Sequence, residues 1–161
     1  MALNENYSFT GEAPADHQSA FTTQFGVHRV LLRPGTRLYK FTEYPLVGSR
    51  GITPWWNYHD STTIQLTDGR PFQVEGFDVA QQRARRLGVS DQAYGRVRSA
   101  VTREWNAMTG FLLVSVTTAA YGFFGQNQGM PVDESTQGVK FIGGHYQLYL
   151  PNLEPRHLRK V

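Results

Sequence analysis

Hydrophobic and polar positions alternate near the start of the chain and change to a helical spacing in its middle. Residues 25–42, FGVHRVLLRPGTRLYKFT, carry a leucine and β-branched run, a Pro34-Gly35 break and a second alternating run, the pattern of two short strands or one bent strand. Residues 48–60, GSRGITPWWNYHD, combine two glycines, a proline and closely spaced aromatics, which predicts a structured loop. That loop leads into a strand at 62–66, and Asp68-Gly69 follows as a turn signal. Helix formers over 77–87 stop at Gly88, a natural C-terminal cap. Ser90 can cap a second helix, in which Ala93, Val97, Val101, Trp105 and Met108 recur at spacings of four and three and so share one buried face.

Beyond Gly110 the pattern returns to strands. FLLVSVTTAAYGFF reads as a buried strand running into a glycine-flanked loop, and the polar stretch 122–138 extends that loop. Residues 139–150, VKFIGGHYQLYL, form a strand broken by Gly143-Gly144, and 157–161 a last edge strand. The polar, turn-rich residues 1–23 predict a flexible N-terminal lead-in, which leaves 24–161 as a single domain. Strands flank a central helical block rather than alternating with helices. The expected class is therefore α+β, with a split, largely antiparallel β-sheet.

Composition narrows the chemistry. With 161 residues the chain can bury roughly 70% of its unfolded surface and needs no covalent staple. It has no cysteine, which excludes disulfides, thiolate metal sites and a cysteine nucleophile. The net charge is only +3 and just three of the 16 basic residues are lysines. The arginines from Arg83 to Arg103 point several ways on helices, so they read as a solvated face rather than a nucleic-acid stripe. No window approaches the ~20 apolar residues of a membrane span, and the start lacks the basic and apolar regions of a signal peptide. The five histidines include no HExxH or other metal-binding spacing, so no metal is expected.

Three segments offer candidate chemistry. Period-two alternation puts His145, Gln147 and Tyr149 on one face of the late strand and Tyr146, Leu148 and Leu150 on the other. In RLYKF, Leu38 and Lys40 share one face, while Arg37, Tyr39 and Phe41 share the opposite one. A cation on either side can clamp a phosphate or pair with a carboxylate. Trp55 and Trp56 offer flat surfaces for stacking on a base or a nicotinamide ring, although anchoring in the core is an equal prospect for one of them.

Taken together, PGTRLYKF, TPWWN and HYQLYLPNLEPRHLRKV resemble the ADP-ribosyltransferase-like superfamily of NAD-using toxins and effectors. GGHYQLYLP is similar to the end of NAD glycohydrolases of the tuberculosis necrotizing toxin type. The resemblance implies a single catalytic domain over 24–161 that uses NAD as substrate and no metal. Gln147 falls at the catalytic position, with His145 and Lys40 as further catalytic residues and Arg37, Tyr39, Trp55, Trp56 and Tyr146 around the dinucleotide. Lys40 stands where the family has arginine, so Arg37 or Arg33 is open as the phosphate ligand, and TPWWN replaces the usual Ser-Thr-Ser motif. Cleavage of the nicotinamide–ribose bond passes through an oxocarbenium-like state. A neutral glutamine is a poor base, which favours hydrolysis to ADP-ribose and nicotinamide over mono-ADP-ribosyl transfer to a macromolecular acceptor. The same resemblance implies a soluble effector delivered into a target-cell cytoplasm, and a cognate immunity protein. Two rivals stand beside it: a histidine-dependent ribonuclease toxin using His145 with His28 or His59, and a non-enzymatic interaction module.

Overall fold

A computed structural model describes residues 1–42, 53–88, 110–128, 130–131, 140–141 and 146–161. The expected second helix at 90–108, residues 129 and 132–138 of the expected loop, and His145 lie outside the described residues. The rest is α+β, as the order of hydrophobic patterns predicts, with a seven-stranded antiparallel sheet at its centre.

Before the sheet come two single-turn helices, α1 (Phe9–Glu12) and α2 (Ala15–Gln18). The strands follow as β1 (Val27–Leu32), β2 (Arg37–Thr42), β3 (Trp55–Tyr58), β4 (Thr62–Gln65) and β5 (Pro71–Val74). Helix α3 (Phe77–Leu87) ends at Gly88, whose left-handed φ of 69° closes the helix as its sequence predicts. Then come β6 (Gly110–Val116), β7 (Ala120–Gln126), the short β8 (Met130–Pro131) and β9 (Lys140–Phe141), β10 (Tyr146–Tyr149) and β11 (Leu158–Lys160). The sheet order is β1-β7-β10-β3-β2-β6-β11; β4 and β5 form a separate hairpin, turned at Gly69, and β8 pairs with β9.

Three expectations need correction. The segment 55–58 is a strand rather than part of a loop, because WWNY alternates between the two faces of the sheet. FLLVSVTTAAYGFF is two strands, and β7 runs through residues 122–126, which were expected in a polar loop; its phenylalanines are buried on both sides. The N-terminal 23 residues are packed rather than loose. Leu3 bridges to Ala120, and Phe9, Ala13 and Phe21 are buried against the sheet.

Both sheet faces are covered. The first carries Leu38, Trp56, Val114, Phe124 and Leu148, which pack with Leu66 and Val74 from the β4–β5 region. The second carries Phe123 and Tyr149, roofed by Phe9, Ala13 and Phe21. Gly125 makes that roof possible, because a Cβ there would overlap the Phe21 ring.

Candidate functional site

Gln147 lies on β10, between β7 and β3, with only 8% of its surface exposed. Its backbone is opposite Gly125, and the register of the pairs Leu148–Trp56 and Tyr149–Trp55 sets Asn57 on its other side. Asn57 in turn pairs with Tyr39 on β2. Gln147, Asn57 and Tyr39 thus form one row across three strands, on the face roofed by the N-terminal segment. Alternation from Gly125 sets Asn127 on that face as well, beside Phe21.

Polar atoms on this row are short of partners. The Asn57 Oδ1 and both side-chain polar atoms of Asn127 are buried without a hydrogen bond, and Asn127 is 2% exposed. The Gln147 carboxamide makes no side-chain hydrogen bond among the described residues. Each buried orphan costs roughly 1–3 kcal/mol, so orphans of Asn57 and Asn127 on the face of Gln147 mark a place where something polar is to be held. An uncharged carboxamide set offers both donors and acceptors, which suits hydroxyl groups.

Apolar walls bound the row. Trp55 packs on Tyr149 with ring centres 4.8 Å apart, and His17 and Phe21 stand against Trp55 at 5.6 and 5.5 Å. His17 Nδ1 meets the Tyr149 hydroxyl at 3.0 Å, pinning α2 to β10. Burial, with Tyr7 as a further contributor, holds the Tyr149 phenol above its ordinary value.

Lys40 and Gln147 do not converge. Lys40 shares the face of Leu38, where it is 6% exposed, lies 3.9 Å over the Trp56 ring, and donates to both the backbone oxygen and the hydroxyl of Thr53. Burial lowers its ammonium to about 7 from 10.5. Trp56 is fully enclosed on that same face, with its indole N–H unpartnered, and Tyr146 stacks there on Phe124 at 5.6 Å. The expected site residues therefore divide by parity of position: Gln147, Tyr39, Arg37 and Trp55 on one side, Lys40, Trp56 and Tyr146 on the other. Two consecutive tryptophans on a strand cannot stack on one ligand.

At the end of β3, Arg37 grips Asp60 through Nε at 2.9 Å and Nη2 at 2.6 Å. Asp60 also meets His59 Nδ1 at 3.1 Å. Hydrogen bonding from Arg37, aided by His59, holds the Asp60 carboxyl below its ordinary value. The His59 ring stacks on Phe77 at 5.9 Å and stands edge-on to Tyr39 at 6.2 Å, which sets it on the face of Gln147. His28 is bonded to the Phe25 carbonyl on β1 and shares the opposite face with its pair Phe124. The sequence reading missed Asn57, Asn127 and Asp60; only the cross-strand register assembles them.

No group of metal-ligating side chains occurs among the described residues. No helix among them is long and apolar enough to cross a membrane.

Fold and site together define an α+β protein with a carboxamide-lined row on the roofed face of a large antiparallel sheet. The chain matches no family model and no curated protein. Among solved structures it is similar to Rhs1-CT, determined in complex with its cognate immunity protein RhsI1: identity is 13%, coverage 84% of this chain and 77% of that one, and TM-score 0.47. It is also similar to Tse6 in complex with Tsi6, at 14% identity over 94% and 85% of the two chains with a TM-score of 0.45. Likeness at this level carries no argument, and the functional reading rests on the site.

Proposed function

We propose that this chain is an NAD-consuming toxin or effector domain that cleaves the nicotinamide–ribose bond and passes the ribosyl carbon to water, giving ADP-ribose and nicotinamide. The observation that carries the reading is the set of unpartnered carboxamide atoms of Asn57 and Asn127 on the face of the buried Gln147, lying where the resemblance assigns the catalytic residue. Ribose is rich in hydroxyls, and Gln147 and Asn57 can donate to and accept from them. A hydrogen bond that tightens as positive charge grows on the ribose lowers the barrier, because it is stronger in the transition state than in the bound substrate. Trp55 would flank the flat nicotinamide, and the N-terminal roof would keep bulk water off the reacting carbon.

Lys40, Trp56 and Tyr146 take no part in this reading, since they belong to the opposite, enclosed face. Arg37 shares the Gln147 face, but its fork is committed to Asp60 and it is assigned to positioning rather than to phosphate. On the same reading a cognate immunity protein accompanies the domain, because loss of NAD harms the producing cell.

The test is to incubate the purified chain with NAD and resolve nicotinamide and ADP-ribose by chromatography. Equal amounts of both products are expected, with Gln147→Ala slowing the reaction by about 100-fold, the effect of removing one transition-state hydrogen bond. Nicotinamide without matching ADP-ribose in the presence of cell extract would make the enzyme a transferase. Absence of nicotinamide in every condition would remove the enzymatic reading.

A further inference from the structure

The hydrolysis proposed above needs a base for the attacking water, and a carboxamide cannot take a proton. This inference rests on that reading. Among the described residues the Gln147 face carries two oriented imidazoles, His17 against Tyr149 and His59 against Asp60, and His59 is the one that a carboxylate aligns. His59 Nδ1 lies 3.1 Å from Asp60 Oδ1, and an ionised carboxylate only accepts, so Nδ1 carries the hydrogen and, in the neutral ring, Nε2 is the nitrogen with the lone pair. Asp60 is itself fixed by the Arg37 fork at 2.9 and 2.6 Å. The ring packs against Phe77 and Tyr39, which themselves touch, and 22% of the side chain remains exposed, which gives water a path to it.

Its position suits the task. Asn57 stands opposite Gln147 in the register, and His59 is two residues further on, just past the end of β3, beside Tyr39 of the same face. A diagonal cross-strand relation of this kind spans about 7–8 Å, room for a reacting carbon and one water between the two side chains.

We propose that His59 is the general base for the water that attacks the ribose, with Asp60 and Arg37 as its positioning residues. The water oxygen forms a bond to the anomeric carbon as the carbon–nitrogen bond breaks, and nicotinamide leaves with that electron pair. The proton released by the water goes to Nε2 and from there to solvent, so the products are ADP-ribose, nicotinamide and a proton.

The experiment is the rate of NAD hydrolysis against pH for the wild type, His59→Gln, Asp60→Asn and Gln147→Ala. In the wild type kcat falls on the acid side of the profile. His59→Gln lowers kcat by about 100-fold or more, leaves KM nearly unchanged and abolishes that acid limb. Asp60→Asn lowers kcat by a smaller factor and displaces the limb, and free imidazole restores part of the rate of His59→Ala. Wild-type kcat with an intact acid limb in His59→Gln, alongside a slowed Gln147→Ala, overturns the base while leaving NAD cleavage standing. If His59→Gln does not fold, an undisplaced limb in Asp60→Asn overturns it instead. No turnover by the wild type overturns both readings.

Discussion

On one face of the central sheet a lysine lies buried over Trp56; on the other, carboxamides lie buried near Trp55. The first face is an enclosed aromatic and aliphatic core in which Lys40 has the Trp56 ring and Thr53 for company. The second face collects Gln147, Asn57 and Asn127 beneath a roof of two short helices. Both sides strand polar atoms, but in different ways. A buried ammonium relieves its cost by releasing a proton, whereas a buried amide has no such exit and waits for a partner. The lesson is that burial of a polar residue speaks for function only when the residue lacks a local way to become satisfied.

That contrast can be broken most severely at the tryptophans. Trp56→Ala should cost about 3–5 kcal/mol, the range for removing a large side chain from a closed core. Trp55→Ala should cost clearly less, since Trp55 is only partly buried, and should impair NAD cleavage. Urea unfolding of both variants checks this, and equal losses would erase the distinction between the faces.

The next effect concerns the proton on Lys40. Its folded-state value is lowered to about 7, while the unfolded chain keeps the proton to an ordinary value of 10.5. Between those limits the unfolded state binds more protons, so stability should rise with pH, on the order of 1 kcal/mol per pH unit, and below pH 7 the full cost of the buried charge is present. Lys40→Met should flatten that slope and leave NAD cleavage unchanged. Chemical denaturation at several pH values between 6 and 9.5 measures it, below the range in which Tyr58 and Tyr149, both held above their ordinary values, act in the opposite sense.

The smallest change sharpens the picture of the roof. Tyr149→Phe removes the contact with His17 and should cost about 1 kcal/mol. The loss should appear as faster amide exchange over residues 15–18, with little change at α3; uniform change across the chain would mean that the roof does not move as a unit.

Much of this was legible in the chain. The alternation in RLYKF assigned Lys40 and Tyr39 to opposite faces, and Gly88 ended α3 where it should. WWNY was hidden by its glycine- and proline-rich surroundings, since four residues give alternation little room to show. β6 and β7 merged because Thr117, Thr118 and Ala119 carry no turn signal. Phe9 and Phe21 are isolated among polar residues, and only Gly125 on a strand a hundred positions away explains where Phe21 goes. Gln147 was found by its motif; its companions Asn57 and Asn127 come from register, which a single sequence does not display.

One feature of the ladder bears on how the molecule comes together. β10 is the link between β1–β7 on one side and β3–β2–β6–β11 on the other. Both partners precede it in the chain, β7 by a short connection and β3 by more than half of the sequence, so seating it closes a near and a distant loop at once. Contacts between residues so distant in sequence slow folding. The strand that joins the halves is also the strand that bears Gln147, so the candidate site is assembled in the same event that completes the sheet. An incompletely folded chain would have the pieces of the site and none of its geometry, and catalytic competence would arrive in one late, cooperative step.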